Sequence, residues 1–429
     1  MKSLWQDGNI MPHFGHLNGD CKTDVLIIGG GIAGLLTAYF LHQRNIDYIL
    51  VEKNTLCSGV TGNTTAKITF QHGLIYQKLV KNIGVDGAKT YLKANQNAFK
   101  KYSDLCRKIA CDYQVKNNFV YSLDDRRKIE KELDALNKIG YLANFCKNLP
   151  LPFDTVGAVE FKNQAQFHPL KFLAHISKNL NIYENTFVKE MIGNTAVTDF
   201  GRIEAKNVVV ATHFPFINKH GGFSFKLYQH RSYAVALKNA PDVGGMYVDE
   251  SKKGMSFRNY ADCLIVGGGD HRTGKNGGNW QGIRDFVKVN YPESSEKFHW
   301  ATQDCMSLDD IPYIGKYSKH TKRLFVASGF NKWGMTGAMV AAELLCDMIE
   351  EKDNDFAHIF DPSRSVLKPQ LLVNGFETVS NLLSFSTKRC PHLGCALKWN
   401  DAEHSWDCPC HGTRIDEQGK IIDNPANGH

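Results

Sequence analysis

The sequence predicts an α/β fold with a second, antiparallel-sheet domain and a small C-terminal β module, on three observations. Residues 24–52 read as strand, glycine turn, helix, strand and terminal acid. Residues 226–269 carry strand-like alternation, as in Arg231-Ser-Tyr-Ala-Val-Ala-Leu237, which fits one buried face. Four of the twelve cysteines, with three histidines, gather between 390 and 411.

The first of these organises the chain. Val25–Ile28 is a continuous apolar run bounded by glycines, the pattern of a buried strand. Gly29, Gly31 and Gly34 form G-x-G-x-x-G. The first permits a tight turn, the second lets the backbone approach a pyrophosphate, and the third lets the helix pack close to the strand. From Ile32 to His42 apolar residues recur at helical spacing. The helix start, with Ile32 and Ala33, points backbone N–H groups at the phosphates. Tyr48–Val51 is a second strand, and Glu52 at its end is placed to accept from a ribose 2′-OH. The motif marks a dinucleotide site without choosing FAD over NAD.

At 429 residues the chain has room for two or three domains. Its formal charge of +7 is scattered, with no basic stripe of the nucleic-acid-binding kind. Residues 1–20 lack the apolar core of a secretory signal, and no run of 18 apolar residues exists to span a membrane. Both absences point to the cytoplasm. Eight cysteines (Cys21, Cys57, Cys106, Cys111, Cys146, Cys263, Cys305, Cys346) are scattered and read as reduced thiols. The clustered four carry chemistry.

In chain order, residues 70–150 are rich in helix formers and read as a helical cap. Val156–Phe161 returns to strand, and His168-Pro169 starts a helix. Ile182–Met191 and Asn207–Thr212 read as strands. Gly267–Gly274 reads as a loop near the site, because no periodic helix follows it. Leu324 begins a strand ending at Gly329; a loop carries Phe330 to Met335, and a helix starts near Thr336. Such a helix start suits an anionic ring.

Cys390-x-His392 and Cys408-x-x-His411 stand 15 residues apart. Two thiolates and two imidazoles on two loops suit a Rieske [2Fe–2S] cluster. A tetrahedral zinc site takes the same ligand types, although C-x-H is an unusual zinc spacing and leaves Cys395 and Cys410 unexplained. Residues 370–389 have room for a helix but not for the opening strands of a full Rieske domain, so little more than the cluster-binding part is expected. His404 lies outside both pairs.

Ser58-Gly-Val-Thr-Gly-Asn-Thr-Thr-Ala-Lys67 resembles the second FAD-contacting segment of the D-amino-acid oxidase/glycine oxidase superfamily. With the other blocks in order, the chain resembles a DAO-type flavoprotein fused to a C-terminal Rieske domain, most strongly at 24–67, 300–340 and 390–412. The resemblance implies a Rossmann-like FAD domain of DAO/glutathione-reductase type (about 20–70, 160–225 and 300–350) and a substrate domain (about 71–159 and 226–299). These make up 1–365, and an abbreviated Rieske module makes up 366–429. It implies FAD on Gly29, Gly31, Ile32, Ala33, Gly34, Glu52, Lys53, Ser58, Thr61, Thr64, Thr65 and Ala66, on Val188 against the adenine, and on Ala211 and Thr212. The same set closes with Gly329, Phe330, Trp333, Gly334, Met335 and Thr336. His213 departs from the family pattern, which has glycine there. It implies the cluster on Cys390, His392, Cys408 and His411, with Cys395 and Cys410 at the positions of a bridging disulfide.

The implied activity is oxidation of a small amine or amino acid by hydride transfer to the flavin. The cluster then leads electrons to an unidentified acceptor. Arg258 is the candidate carboxylate clamp. Lys67, Tyr233 and His271 are further catalytic candidates, with Tyr76 and Trp333 lining the pocket. Two alternatives stand beside this reading. One is a hydroxy-acid dehydrogenase of glycerol-phosphate type, whose flavin loop also resembles Thr61–Lys67. The other is an electron carrier without its own small substrate, against which the helical region and antiparallel sheet argue.

Overall fold

The computed structural model describes residues 2–426 apart from 9, 218, 252 and 253. The first sheet is ordered Tyr313–Lys316, Leu324–Ser328, Arg202–Val210, Cys21–Ile28, Tyr48–Val51, Ile182–Tyr183. From Leu324–Ser328 to Ile182–Tyr183 neighbouring strands run parallel. The apolar runs Val25–Ile28 and Tyr48–Val51 are buried throughout, as a sheet covered on both faces requires. Helices Ile32–Gln43 and Gly334–Ile349 pack together on one face. A Cβ on Gly34 would stand 1.9 Å from Gly29 O, so only glycine lets this helix approach its strand. Gly34→Ala is expected to cost about 1–3 kcal/mol by overpacking and to lower FAD occupancy, read as unfolding midpoint and bound FAD per chain.

The second sheet is ordered Ser295–Met306, Tyr228–Lys238, Cys263–Arg272, Ser256–Tyr260, Met246–Asp249, Gln114–Ser122, Gly157–Gln166, Lys67–Ile68, with Asn144–Cys146 on the flank of Gly157–Gln166. Three expectations are corrected here. The stretch 70–150 is not all helix. Helices Tyr76–Cys106, kinked at Gly84, and Arg126–Lys138 enclose the strand Gln114–Ser122, whose Phe119-Val120-Tyr121 is a buried aromatic and β-branched run. The run Gly267–Arg272 is strand rather than loop, because its backbone continues the ladder to Tyr228–Lys238. Ile182–Met191 is two strands, Ile182–Tyr183 and Val188–Ile192, which pair with different partners on either side of Asn185 at φ +49°.

The tail begins with helix Pro369–Leu383. A four-stranded sheet follows: Lys398–Asn400, Ser405–Asp407, Arg414–Ile415, Ile421–Asp423. Its core is small: Cys390, Cys395, Leu397, Cys408, Cys410 and Ile415. A module this small has little apolar surface to bury, and it leans on the rest of the chain. Among the described residues no helix is long and apolar enough to cross a membrane.

Candidate active site and metal centre

The carboxyl ends of the parallel strands open into a cavity of about 1400 Å³, which runs to the antiparallel sheet. A volume this far above that of a drug-sized pocket suits a dinucleotide with a substrate beside it. The glycine turn, the loop 57–65 and the segment 330–335 line it. Of the residues expected to hold FAD, all line this cavity except Gly34, Ala66, Gly329 and Thr336, which shape it from behind. Thr61 Oγ1 accepts from Ile32 N at 3.0 Å and ties the loop to the helix start. Glu52 accepts from Gly30 N at 2.8 Å and from Asn54 N at 2.9 Å, so its carboxylate is held at the end of its strand. Turn, helix start and cavity fit the dinucleotide. His168, expected at a helix start, caps Pro169–Ser177 by accepting from Lys171 N.

The polar end of the cavity holds Lys67, Trp333 and His72. Lys67 is 9% exposed, and its ammonium nitrogen donates to Thr65 Oγ1 at 3.4 Å. Burial, then the nearby Arg258 charge, push Lys67 down to about 7. His72 stacks on Trp333 with ring centres 5.1 Å apart and bonds Tyr91, Thr69 and Thr336. Burial pushes its imidazole down to about 3, so it is neutral. On the sheet side, Lys332 pairs with Asp270 at 2.6 Å and donates to Ser232. Burial pushes the neighbouring Asp304 carboxyl up to about 6.

Not every candidate falls together. Arg258 lies outside the cavity lining and is fully buried. Its Nη1 donates to the carbonyls of Thr65 (2.8 Å) and Ala66 (2.6 Å), and its guanidinium stands over the Trp5 and Tyr260 rings. Through Nη1 it ties the Thr65–Ala66 backbone, while its Nε and Nη2 are buried with no hydrogen-bond partner among the described residues, and it does not line the cavity that the expected clamp would have to reach. Tyr76 donates to Phe70 O and is packed in the core. His271 is bonded to Gly269 O and stacked on Tyr233, away from the cavity. Tyr233 borders the cavity with its ring against His271. Sequence reasoning missed His72, Asp304, Asp270 and Lys332. Asp270 and Lys332 lie in the segments 267–274 and 330–335 that the sequence places near the site, but nothing in either segment singles them out, and the folded chain brings them together with Asp304.

In the tail, Cys390, Cys408 and His411 are buried and His392 is partly so. The His392 and His411 rings lie 5.0 Å apart, both beside Phe214. His411 Nε2 lies 2.8 Å from Ser224 O. A carbonyl only accepts, so Nε2 carries the proton and Nδ1 keeps its lone pair. That Nδ1, and both nitrogens of His392, are buried without a partner. Burial pushes both imidazoles down, to about 3 and about 4, so both are neutral donors. Cys395 and Cys410 are disulfide-bonded, and Cys408 Sγ lies within 4.8 Å of both sulfurs. Two thiols, two bare imidazole nitrogens and an adjoining disulfide fit a Rieske cluster and leave no cysteine over, as a zinc site would.

This loop is seated on the antiparallel sheet through its own main chain. Gln229 donates to His411 O (2.7 Å), Arg272 to Pro409 O (2.9 Å) and Cys410 O (3.1 Å), and Gln303 to Gly412 O (2.8 Å). Asn424 donates to Thr212 O (2.7 Å) and Phe214 O (2.9 Å), at the strand end that borders the cavity. Glu403 of the tail is shared between Arg231 of the sheet and Arg414. Burial alone would raise the Glu403 carboxyl; the two guanidiniums outweigh it and hold it below its ordinary value.

Comparison with known proteins agrees with both halves. Residues 24–348 match the FAD dependent oxidoreductase (DAO) family model, and residues 367–429 match the Rieske [2Fe-2S] domain. The Bacillus subtilis (strain 168) protein YhfW, described as a Rieske 2Fe-2S iron-sulfur protein, is 33% identical over 488 residues, covering 99% of this chain and 96% of that one. Among solved structures, glycine oxidase from Geobacillus kaustophilus superposes with a TM-score of 0.66 at 18% identity, covering 80% of this chain and 99% of that one. L-Amino acid deaminase from Proteus vulgaris, with its specific insertion deleted, gives 0.66 at 17%, covering 84% and 99%. The glycine turn with its cavity, the paired Cys/His loops and these matches place the chain in the DAO family of FAD-dependent oxidoreductases, with a domain that binds FAD and a C-terminal Rieske domain that binds a [2Fe–2S] cluster.

Proposed function

We propose that this protein is a dehydrogenase of a small amine or amino acid that sends its electrons to the Rieske cluster. The observation that carries the relay is the seating of loop 409–412 on the sheet that also borders the FAD cavity. The amine rests on glycine oxidase and L-amino acid deaminase, whose fold this chain shares, and on the cavity's own groups. When bound, the flavin accepts the substrate hydride and gives up the two electrons singly to the cluster.

The chain's residues prepare the substrate. An ammonium must lose a proton before its neighbouring C–H is a hydride donor. Lys67, held near 7 by burial, is the base that takes that proton. Lys67 is neutral above its pKa and charged below it. The rate constant kcat/KM is therefore expected to rise with pH through about 7 and then level. Lys67→Met is expected to remove that limb and lower kcat/KM about 100-fold, within the usual range for a general base. An unchanged pH profile in the variant would discard Lys67. Arg258 keeps the Thr65–Ala66 backbone in place, and His72 with Trp333 forms the wall beside Lys67.

Anaerobic titration with a panel of amines and amino acids tests the whole reading. Flavin bleaching followed by the EPR signal of the reduced cluster is the expected result. Bleaching without cluster reduction would sink the relay and leave the oxidation standing. Failure of every amine, with bleaching by a hydroxy acid, would replace the substrate class.

A further inference from the structure

Helix Pro369–Leu383 is turned inside out. Its polar residues face the protein. Asn374 accepts from Arg272 Nη1 at 3.0 Å, Glu377 pairs with Lys275 at 2.7 Å, and Asn381 is 4% exposed. Its apolar residues face away, at i, i+4, i+7 and i+11: Leu372 (77% exposed), Phe376 (72%), Val379 and Leu383 (82%). Phe385, just past the helix, is 99% exposed. Rotating the helix would strand Asn374 and Glu377 and break the bonds to Arg272 and Lys275, so the sequence itself commits the apolar stripe outward. A patch of this kind on a surface marks an interaction site.

We infer that this face seats on an anionic lipid surface. The charge around it selects that partner. Between 364 and 398 five Lys/Arg residues stand against one acid, Glu377, and that acid is turned inward. Lys368 caps the start of the helix, Arg389 donates to Leu382 O at its end, and Lys388 and Lys398 follow on the paired segments 388 and 397–398; each basic group near an anionic leaflet adds to binding. A second copy packed on the same face would bring these cations together, which opposes a symmetric dimer. The side chains project rather than line a groove, so they need a fluid apolar medium more than a shaped one. The helix lies flat along its length, as an interfacial helix does, without spanning. Arg272 bridges Asn374 of this helix to the carbonyls of Pro409 and Cys410, so the cluster loop lies one side chain from the proposed lipid face.

Sedimentation of the holoprotein with vesicles of equal parts phosphatidylcholine and phosphatidylglycerol tests this. The protein is expected to pellet with them, less so in high salt, and less with phosphatidylcholine alone. The triple substitution Leu372→Glu, Phe376→Glu, Leu383→Glu is expected to cut the bound fraction at least ~10-fold, with flavin absorbance and cluster EPR signal intact. Leu142→Glu, at an exposed leucine elsewhere, is expected to bind as the parent does. The double substitution Lys368→Glu, Lys398→Glu is expected to weaken binding to the mixed vesicles only. Parent protein left in the supernatant, a triple variant that pellets normally, or equal loss in Leu142→Glu would each overturn the inference. So would a parent dimer that the triple variant splits without any vesicle binding.

Discussion

Replacing Cys408 with serine is expected to give protein that keeps its flavin absorbance and loses bound iron and the Rieske EPR signal together. Cys408 is fully buried, and its backbone N–H and C=O are engaged with Thr413 and Gly412, so serine leaves the loop's main chain in place. What it removes is one of the two soft thiolates proposed to hold the cluster. Turnover with a one-electron acceptor is expected to fall at least about 100-fold, the upper end of what outer-shell changes alone cost a metal site. Flavin reduction by substrate in a single turnover should be untouched. Iron analysis, EPR and the two kinetic measurements separate the outcomes. Undiminished turnover to the one-electron acceptor would mean that the cluster is not on the electron route.

The second large effect belongs to Arg414. It is 3% exposed and donates four hydrogen bonds to a ring of acceptors: Asp407 (3.0 Å), Asp423 (3.0 Å), Glu403 (2.9 Å) and Ser405 (2.8 Å). Arg414→Met would leave these carboxylates facing one another, with Arg231, bonded to Glu403 and 4.0 Å from Asp423, as the remaining counter-charge among the described residues. Removing one partner of a buried ion pair costs about 3–5 kcal/mol. The tail should therefore lose its cluster spectrum in urea well before the flavin domain unfolds, where the parent loses both together. Lysine is not expected to rescue, since an ammonium lacks the planar fork that reaches three carboxylates. A change below about 1 kcal/mol would show that the ring contributes little, as exposed ion pairs do.

The parts of this protein that were legible in the sequence are those whose chemistry is local. The glycine turn works through six neighbouring residues, and a Cβ on Gly34 would stand 1.9 Å from Gly29 O, which is why the motif demands glycine there. The cluster ligands are pairs two and three residues apart, a spacing that the loop backbone fixes by itself. The antiparallel sheet was legible where alternation ran long. It was missed at Gln114–Ser122, a strand enclosed between two helices, and misread at Gly267–Arg272, where three glycines read as a loop. Arg258 looked like a ligand clamp because a lone arginine on a strand gives no sign of what covers it. Its partners are carbonyls more than 190 residues away. The seat of the cluster loop was illegible for the same reason. Gln229, Arg272 and Gln303 address main-chain carbonyls, which every sequence has.

That seat bears on how the protein is assembled. His411 Nε2 is closed against Ser224 O, Cys408 is sealed, and the flavin domain covers the loop. Once the tail is down, Cys408 and His411 are closed off, and the side of the partly exposed His392 is left to approach. Loading before docking therefore gives an iron–sulfur donor its freest approach to Cys408 and His411. Newly made chains starved of iron should accumulate with the tail lifted and open to proteases.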